Sequence, residues 1–125
     1  MKYPDGIAAQ PTALATGLAS LQLPSYTGGL IALVGIGASE YAAQGAAASW
    51  RTAGLEAVAI PASSPPINAA LTLLISESGR SAEVLAYKAP SRTIALTNFP
   101  DSPLAAAADE LILLNSGPDS PVYTT

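Results

Sequence analysis

The hexapeptide Ser76-Glu77-Ser78-Gly79-Arg80-Ser81 concentrates the groups of this 125-residue chain best suited to hold an anion. Its three hydroxyls can donate to anionic oxygens, and its glycine leaves main-chain N–H groups uncovered by a side chain. The apolar run Leu71-Thr72-Leu73-Leu74-Ile75 precedes it, and a helix-compatible segment follows from Ala82. A strand-to-helix turn presents the positive end of the helix to a ligand, so phosphate is its natural partner. Serine and glycine are equally at home in ordinary loops and caps, and the turn alone does not separate the two readings. A second stretch of similar composition, Gly35-Ile36-Gly37-Ala38-Ser39, closes the apolar run that starts at Leu30.

The chain has no cysteine and no histidine. Disulfides, thiolate chemistry, Cys/His zinc sites and Ser-His-Asp catalysis are thereby removed, and neither a metal nor a cofactor is implied. Proton transfer would fall to carboxylates, Lys or Tyr, and Glu40 and Glu77 are the carboxylates beside the two turns. Solvated or capping roles are the commoner fate of such residues, so no catalytic residue is assigned.

Both turns must be positioned by the elements around them. Gly6 to Leu23 reads as a helix with Ile7, Leu14, Leu18 and Leu21 on one side, its regular part starting near Pro11. The run Leu30–Ile36 has no alternation and reads as a parallel strand buried on both faces, and Glu56–Pro61, Leu71–Ile75, Thr93–Thr97 and Leu111–Leu114 read as four further strands. Between them lie an alanine-rich helix to about Ala53 closed by Gly54, a helical turn over Ile67–Ala70, a helix over Ser81–Ala89, and a short helix opened by Asp101-Ser102-Pro103. Such alternation predicts an α/β fold, a three-layer doubly wound sheet of five parallel strands in the order 2-1-3-4-5. In that order the chain reverses between strands 1 and 3, and the crevice at their C-terminal ends receives both hydroxyl-and-glycine turns.

Composition narrows the partners. Half of the chain is hydrophobic but only 6% is aromatic, which points to helices packed on a sheet through small side chains. The charged fraction, 11%, is well below the roughly 25% usual in soluble domains. A net charge of -4, with the basic residues scattered as Lys2, Arg51, Arg80, Lys88 and Arg92, argues against nucleic acid. No apolar run reaches the roughly 18 residues needed to span a bilayer, and Met1 to Asp5 lacks a signal pattern, so no membrane partner and a cytoplasmic location are expected. The neutral stretch Ala42–Ala53 suggests self-association.

Dinucleotide binding fits poorly, because Glu40 occupies the third small position after Gly35-x-Gly37 and strand 2 ends in Ala59-Ile60-Pro61-Ala62 without an acidic ribose ligand. A phosphate-accepting receiver domain needs an aspartate at a strand end, and none of the five strands ends in one.

Taken together, the chain resembles the sugar isomerase (SIS) domain family, more closely the isomerase half of the glutamine:fructose-6-phosphate amidotransferases and their glutaminase-free relatives. The resemblance rests on Gln10-Pro11 with Leu14, Gly35-Ile36-Gly37-Ala38-Ser39, the Ser76–Ser81 turn, Thr97-Asn98 with Asp101-Ser102-Pro103-Leu104, and Gly117-Pro118-Asp119 leading to Val122-Tyr123-Thr124-Thr125. It implies that Ser76, Ser78 and Ser81, with Glu77 and Gly79 in the same turn, surround a sugar phosphate. Gly37 and Ser39 would join them from the first turn, and Val122 and Thr124 would reach the edge of the sugar. One hydroxyl of the family's usual Cys-Gly-Thr-Ser is missing here, and Glu77 stands where Gln is frequent, with Arg80 near enough in sequence to offset its charge. The resemblance further implies an N-terminal helix and linker over residues 1–28 and a SIS domain over 29–125, the first of two in a parent protein. The expected function is phosphosugar binding within an aldose-ketose isomerase or an amino-sugar deaminase or deglycase, acting as a homodimer or paired with a second SIS domain. The alternative is a non-catalytic sugar-phosphate sensor.

Overall fold

Five short apolar runs dictate the architecture: the first and third are buried on both faces, while the fifth leaves Leu111 and Leu113 exposed. The computed structural model describes residues 28–114, and the expected helix over Gly6–Leu23 lies outside them. The strands are β1 (Ile31–Gly35), β2 (Ala57–Pro61), β3 (Leu71–Ile75), β4 (Arg92–Thr97) and β5 (Glu110–Leu113), and the helices α1 (Ala38–Thr52), α2 (Ala82–Ala86) and α3 (Pro103–Ala107). All strand pairs are parallel and the order is β2-β1-β3-β4-β5, as the sequence predicts. Every residue of β1 and β3, the central pair, is buried.

Alternate residues of each strand feed two cores. On one face Ile31, Leu33, Leu71, Leu73, Ile75, Ile94 and Leu96 pack against Ala42, Ala43, Ala46, Ala47 and Trp50 of α1. Small side chains let the helix lie close to the sheet, and Trp50 fills the space at its far end. The opposite face packs Val34, Leu74 and Ala95 against Val84 of α2, Tyr87 and Leu104 of α3. Ala42, Ala43, Ala46 and Ala47 of α1 are therefore core residues rather than surface. What the helix exposes is Tyr41, Gln44, Gly45, Ala48, Ser49, Arg51 and Thr52, a face that carries one charge.

Helix ends follow local chemistry. Beyond Ala53, Gly54 takes φ +97°, its N–H donates to Arg51 O (3.0 Å), and the Leu55 N–H reaches Trp50 O (2.9 Å), the Schellman arrangement. Ser81 and Ser102 cap α2 and α3, accepting from the Val84 and Ala105 N–H groups, and Pro103 opens α3 where no N–H is needed.

Two expected helical segments are corrected. Helix α2 ends at Ala86, three residues short of Ala89, because Tyr87 adopts an extended backbone and buries its ring in the second core. Its Oη accepts the N–H of Ile67 (3.1 Å), and this same bond accounts for the absence of a helical turn over Ile67–Ala70. The Ala70 N–H donates to Leu30 O (2.9 Å), so the segment runs alongside the entry to β1 instead of coiling on itself.

Candidate functional site

Strands β1 and β3 are adjacent and parallel, with Val34 opposite Leu74, so the chain leaves both at the same edge of the sheet. Gly37 and Ser39 follow β1, and Ser76 to Ser81 follow β3. The topology brings these candidates to one edge; Val122 and Thr124 lie outside the described residues.

After β1 the chain turns sharply into α1. A Cβ on Gly35 would lie 2.8 Å from the backbone carbon of Ser39 and 3.0 Å from the Glu40 nitrogen, so the helix start can rest on the strand end only because this residue has no side chain. Gly37, the N-cap, has φ +62°, and no side chain caps the helix. The first turn of a 15-residue helix thus opens at the edge without a side-chain cap, the Glu40 N–H donating to Gly37 O (3.1 Å), and such a helix start is where an anion is favoured. Ser39 is buried within that turn. The Glu40 carboxylate accepts from Gln44 Nε2 (3.4 Å) one turn further along.

The turn after β3 is built from its own serines. Ser76 is buried, and both its carbonyl and its Oγ accept the Gly79 N–H, each at 3.1 Å. Ser78 is exposed and its Oγ accepts the Arg80 N–H (3.1 Å). Ser81 Oγ accepts the Val84 N–H (3.4 Å) and donates to Glu83 Oε2 (3.4 Å). A hydroxyl that accepts a main-chain N–H is polarised toward donating its own proton, so the bonds that shape the turn leave the Ser76 and Ser78 hydroxyls disposed to bind an anion, while the Ser81 proton is engaged by Glu83. Among the described residues nothing accepts from the N–H groups of Ser78 or Ser81.

A scaffold behind the turn, to which the sequence reading gave no role, holds it in place. Thr97 Oγ1 (3.0 Å) and the Asn98 N–H (3.1 Å) both donate to Glu77 O, and the Leu104 N–H donates to Gly79 O (3.0 Å). Gly79 has φ +70°, and a Cβ there would fall 2.2 Å from Ser102 Oγ and 3.0 Å from Thr97 Oγ1. The sequence signal was the glycine itself, between Ser78 and Arg80. Glu77 is half-buried and Arg80 exposed. Among the described residues no three His, Cys, Asp or Glu side chains gather as a metal site would require. No helix among them is long and apolar enough to cross a membrane.

No family model matches the sequence, and no curated protein does. Solved structures do match. The C-terminal domain of glucosamine-fructose-6-phosphate aminotransferase from Francisella tularensis superposes with TM-score 0.63 and 22% identity over 91% of this chain, which spans 39% of that one. An E. coli CFT073 protein in complex with a sugar phosphate gives TM-score 0.63 and 19% identity over 91% of this chain and 75% of its own. The Vibrio vulnificus NanR protein complexed with ManNAc-6P gives TM-score 0.56 and 22% identity over 96% of this chain and 55% of its own. The fold that the resemblance implied, that of the sugar isomerase domains, is therefore the fold of this chain.

Proposed function

We propose that the chain is a phosphosugar-binding domain, the part of an aldose-ketose isomerase or an amino-sugar deaminase or deglycase that holds the phosphate. The observation that carries this reading is the meeting, at one sheet edge, of the uncapped start of α1 with the serine turn after β3. Ser39, Ser76, Ser78 and Ser81 supply hydroxyls in it, Gly37 and Gly79 supply the backbone shape, Glu77 flanks the phosphate, and Val122 and Thr124 approach the sugar. The E. coli and Vibrio vulnificus structures hold sugar phosphates on the same fold, which supports a sugar phosphate over other anions. The chain works in the cytoplasm as a homodimer or against a second domain of its kind, through the nearly uncharged outer face of α1. Residues 29–125 form the binding domain and residues 1–28 its leading helix and linker.

Hexose 6-phosphates should raise the melting temperature by mass action, by about 4–8 °C for each kcal/mol of added stability. The double variant Ser78→Ala with Ser81→Ala should lose the shift. Retention of the full shift in that variant would place the ligand elsewhere. A non-catalytic sensor is the second reading, supported by the NanR structure, which holds ManNAc-6P on the same fold. Conversion of fructose 6-phosphate to glucose 6-phosphate by the purified chain decides between them: turnover establishes the enzyme, and binding without turnover by this chain and by its assembly with a second domain establishes the sensor.

A further inference from the structure

On the sheet face opposite α1, helices α2 and α3 leave a cavity of about 250 Å3 between them. None of Gly37, Ser39 or Ser76 to Ser81 lines it. Its walls are mixed, with apolar Leu74, Val84, Leu85 and Leu104 beside polar Ser91 and Thr93, and two opposite charges, Lys88 and Asp109, stand among its lining residues. Lys88 Nζ donates to Leu85 O (3.2 Å), which leaves the ammonium with further donors. Asp109 is held by one oxygen, Oδ2 accepting from the N–H (2.9 Å) and the Oγ1 (3.2 Å) of Thr93. Among the described residues nothing donates to its other oxygen.

We propose that this cavity binds a small zwitterion with an aliphatic side chain, an α-amino acid of about the size of leucine. Its carboxylate would pair with Lys88, its ammonium with the open oxygen of Asp109, and its hydrocarbon with Leu74, Val84 and Leu104. A ligand with one charge would satisfy one rim group and be repelled by the other, so the pair selects for both. The cavity is smaller than the roughly 300–1,000 Å3 of drug-sized sites, which limits the ligand accordingly. Val84 and Leu104 also connect it to the serine turn, because the Val84 N–H donates to Ser81 Oγ and the Leu104 N–H to Gly79 O. Occupancy therefore changes anion affinity at the turn. That coupling rests on the phosphate reading; the occupancy of the cavity does not.

The test is titration of the full chain with L-leucine, followed by calorimetry and by amide chemical shifts. Saturable binding with a dissociation constant on the order of 1 mM is expected, with shifts at Leu85, Lys88, Thr93 and Asp109. Isocaproate, which lacks the ammonium, and isoamylamine, which lacks the carboxylate, should each bind about tenfold more weakly. Lys88→Met, a change at an exposed side chain, and Asp109→Asn should each cost about tenfold, and Ala107→Phe should fill the cavity and abolish binding. The Ser78→Ala, Ser81→Ala double variant should still bind leucine, so the site survives even if the phosphate reading fails. No saturable binding, undiminished binding by the amine or the acid, or undiminished binding in Lys88→Met overturns the proposal.

Discussion

Two serines in the same turn separate stability from binding. Ser81 caps α2, so Ser81→Ala should cost about 1 kcal/mol in urea denaturation, whereas Ser78, exposed and bonded only to the Arg80 N–H, should cost less than about 0.5 kcal/mol. Both variants should nevertheless bind hexose 6-phosphates more weakly. A Ser78→Ala protein with native stability and native affinity would remove that hydroxyl from the site. The glycines give a second contrast. Gly79 and Gly54 both have positive φ, but a Cβ on Gly54 meets nothing within 4 Å, while on Gly79 it enters Ser102. Gly54→Ala should therefore cost only the left-handed backbone penalty, about 1–2 kcal/mol, and leave sugar-phosphate binding intact. Gly79→Ala must also push α3 away from the turn, so its cost should exceed that of Gly54→Ala by about 1–3 kcal/mol and its binding should be lost. Equal melting temperatures for the two variants would show that Ser102 does not brace the turn.

The same dependence operates between elements. The start of α1 rests on the end of β1 through Gly35, so Gly35→Ala should lever the helix off the strand without touching a hydroxyl. A loss of about 1–3 kcal/mol by chemical denaturation is expected, together with weaker phosphosugar binding. Unchanged affinity in a destabilised Gly35→Ala protein would mean that the start of α1 plays no part in the site. Strands were legible because Ile31–Gly35 and, but for Thr72, Leu71–Ile75 are apolar, and in a chain of alternating elements that pattern has one economical solution, a parallel sheet covered on both faces. The boundaries of β1, β2, β4 and β5 moved by a single residue. What local reading missed depends on distant partners. Tyr87 ends α2 because its hydroxyl meets the Ile67 N–H, twenty residues earlier, and neither residue announces the other. The burial of Ser76 and the bracing of Gly79 by Ser102 were hidden for the same reason, since they follow from how β3, β4 and α3 come together. The composition of the turn was visible in sequence; the scaffold behind it was a property of the packing.

At the scale of the whole chain, the net charge of -4 and the scattered cations mean that a sugar phosphate must be held against an unfavourable overall field. Neutral donors, main-chain amides and hydroxyls then supply the binding, with Arg80 the one cation in the turn. Raising the salt concentration screens the repulsion at least as much as any attraction to Arg80, so affinity should not fall as the Debye length shrinks from about 10 Å at 0.1 M to about 3 Å at 1 M. A steep loss of affinity with salt would instead identify a site led by cations. Proton dependence gives a sharper test, because the chain contains no histidine, the side chain whose ordinary titration range covers pH 5 to 8. Any dependence of binding there should belong to the ligand, whose second phosphate ionisation lies near about 6. If the site takes the dianion, affinity is full above that value and falls about tenfold for each pH unit below it. A hexose 6-sulfate carries one negative charge throughout and should bind weakly with a flat profile. Calorimetric titrations of both ligands between pH 5 and 8 measure this directly, and a midpoint for the phosphate displaced by more than about one unit from that of the free ligand would show that a group on the protein takes up or releases the proton instead.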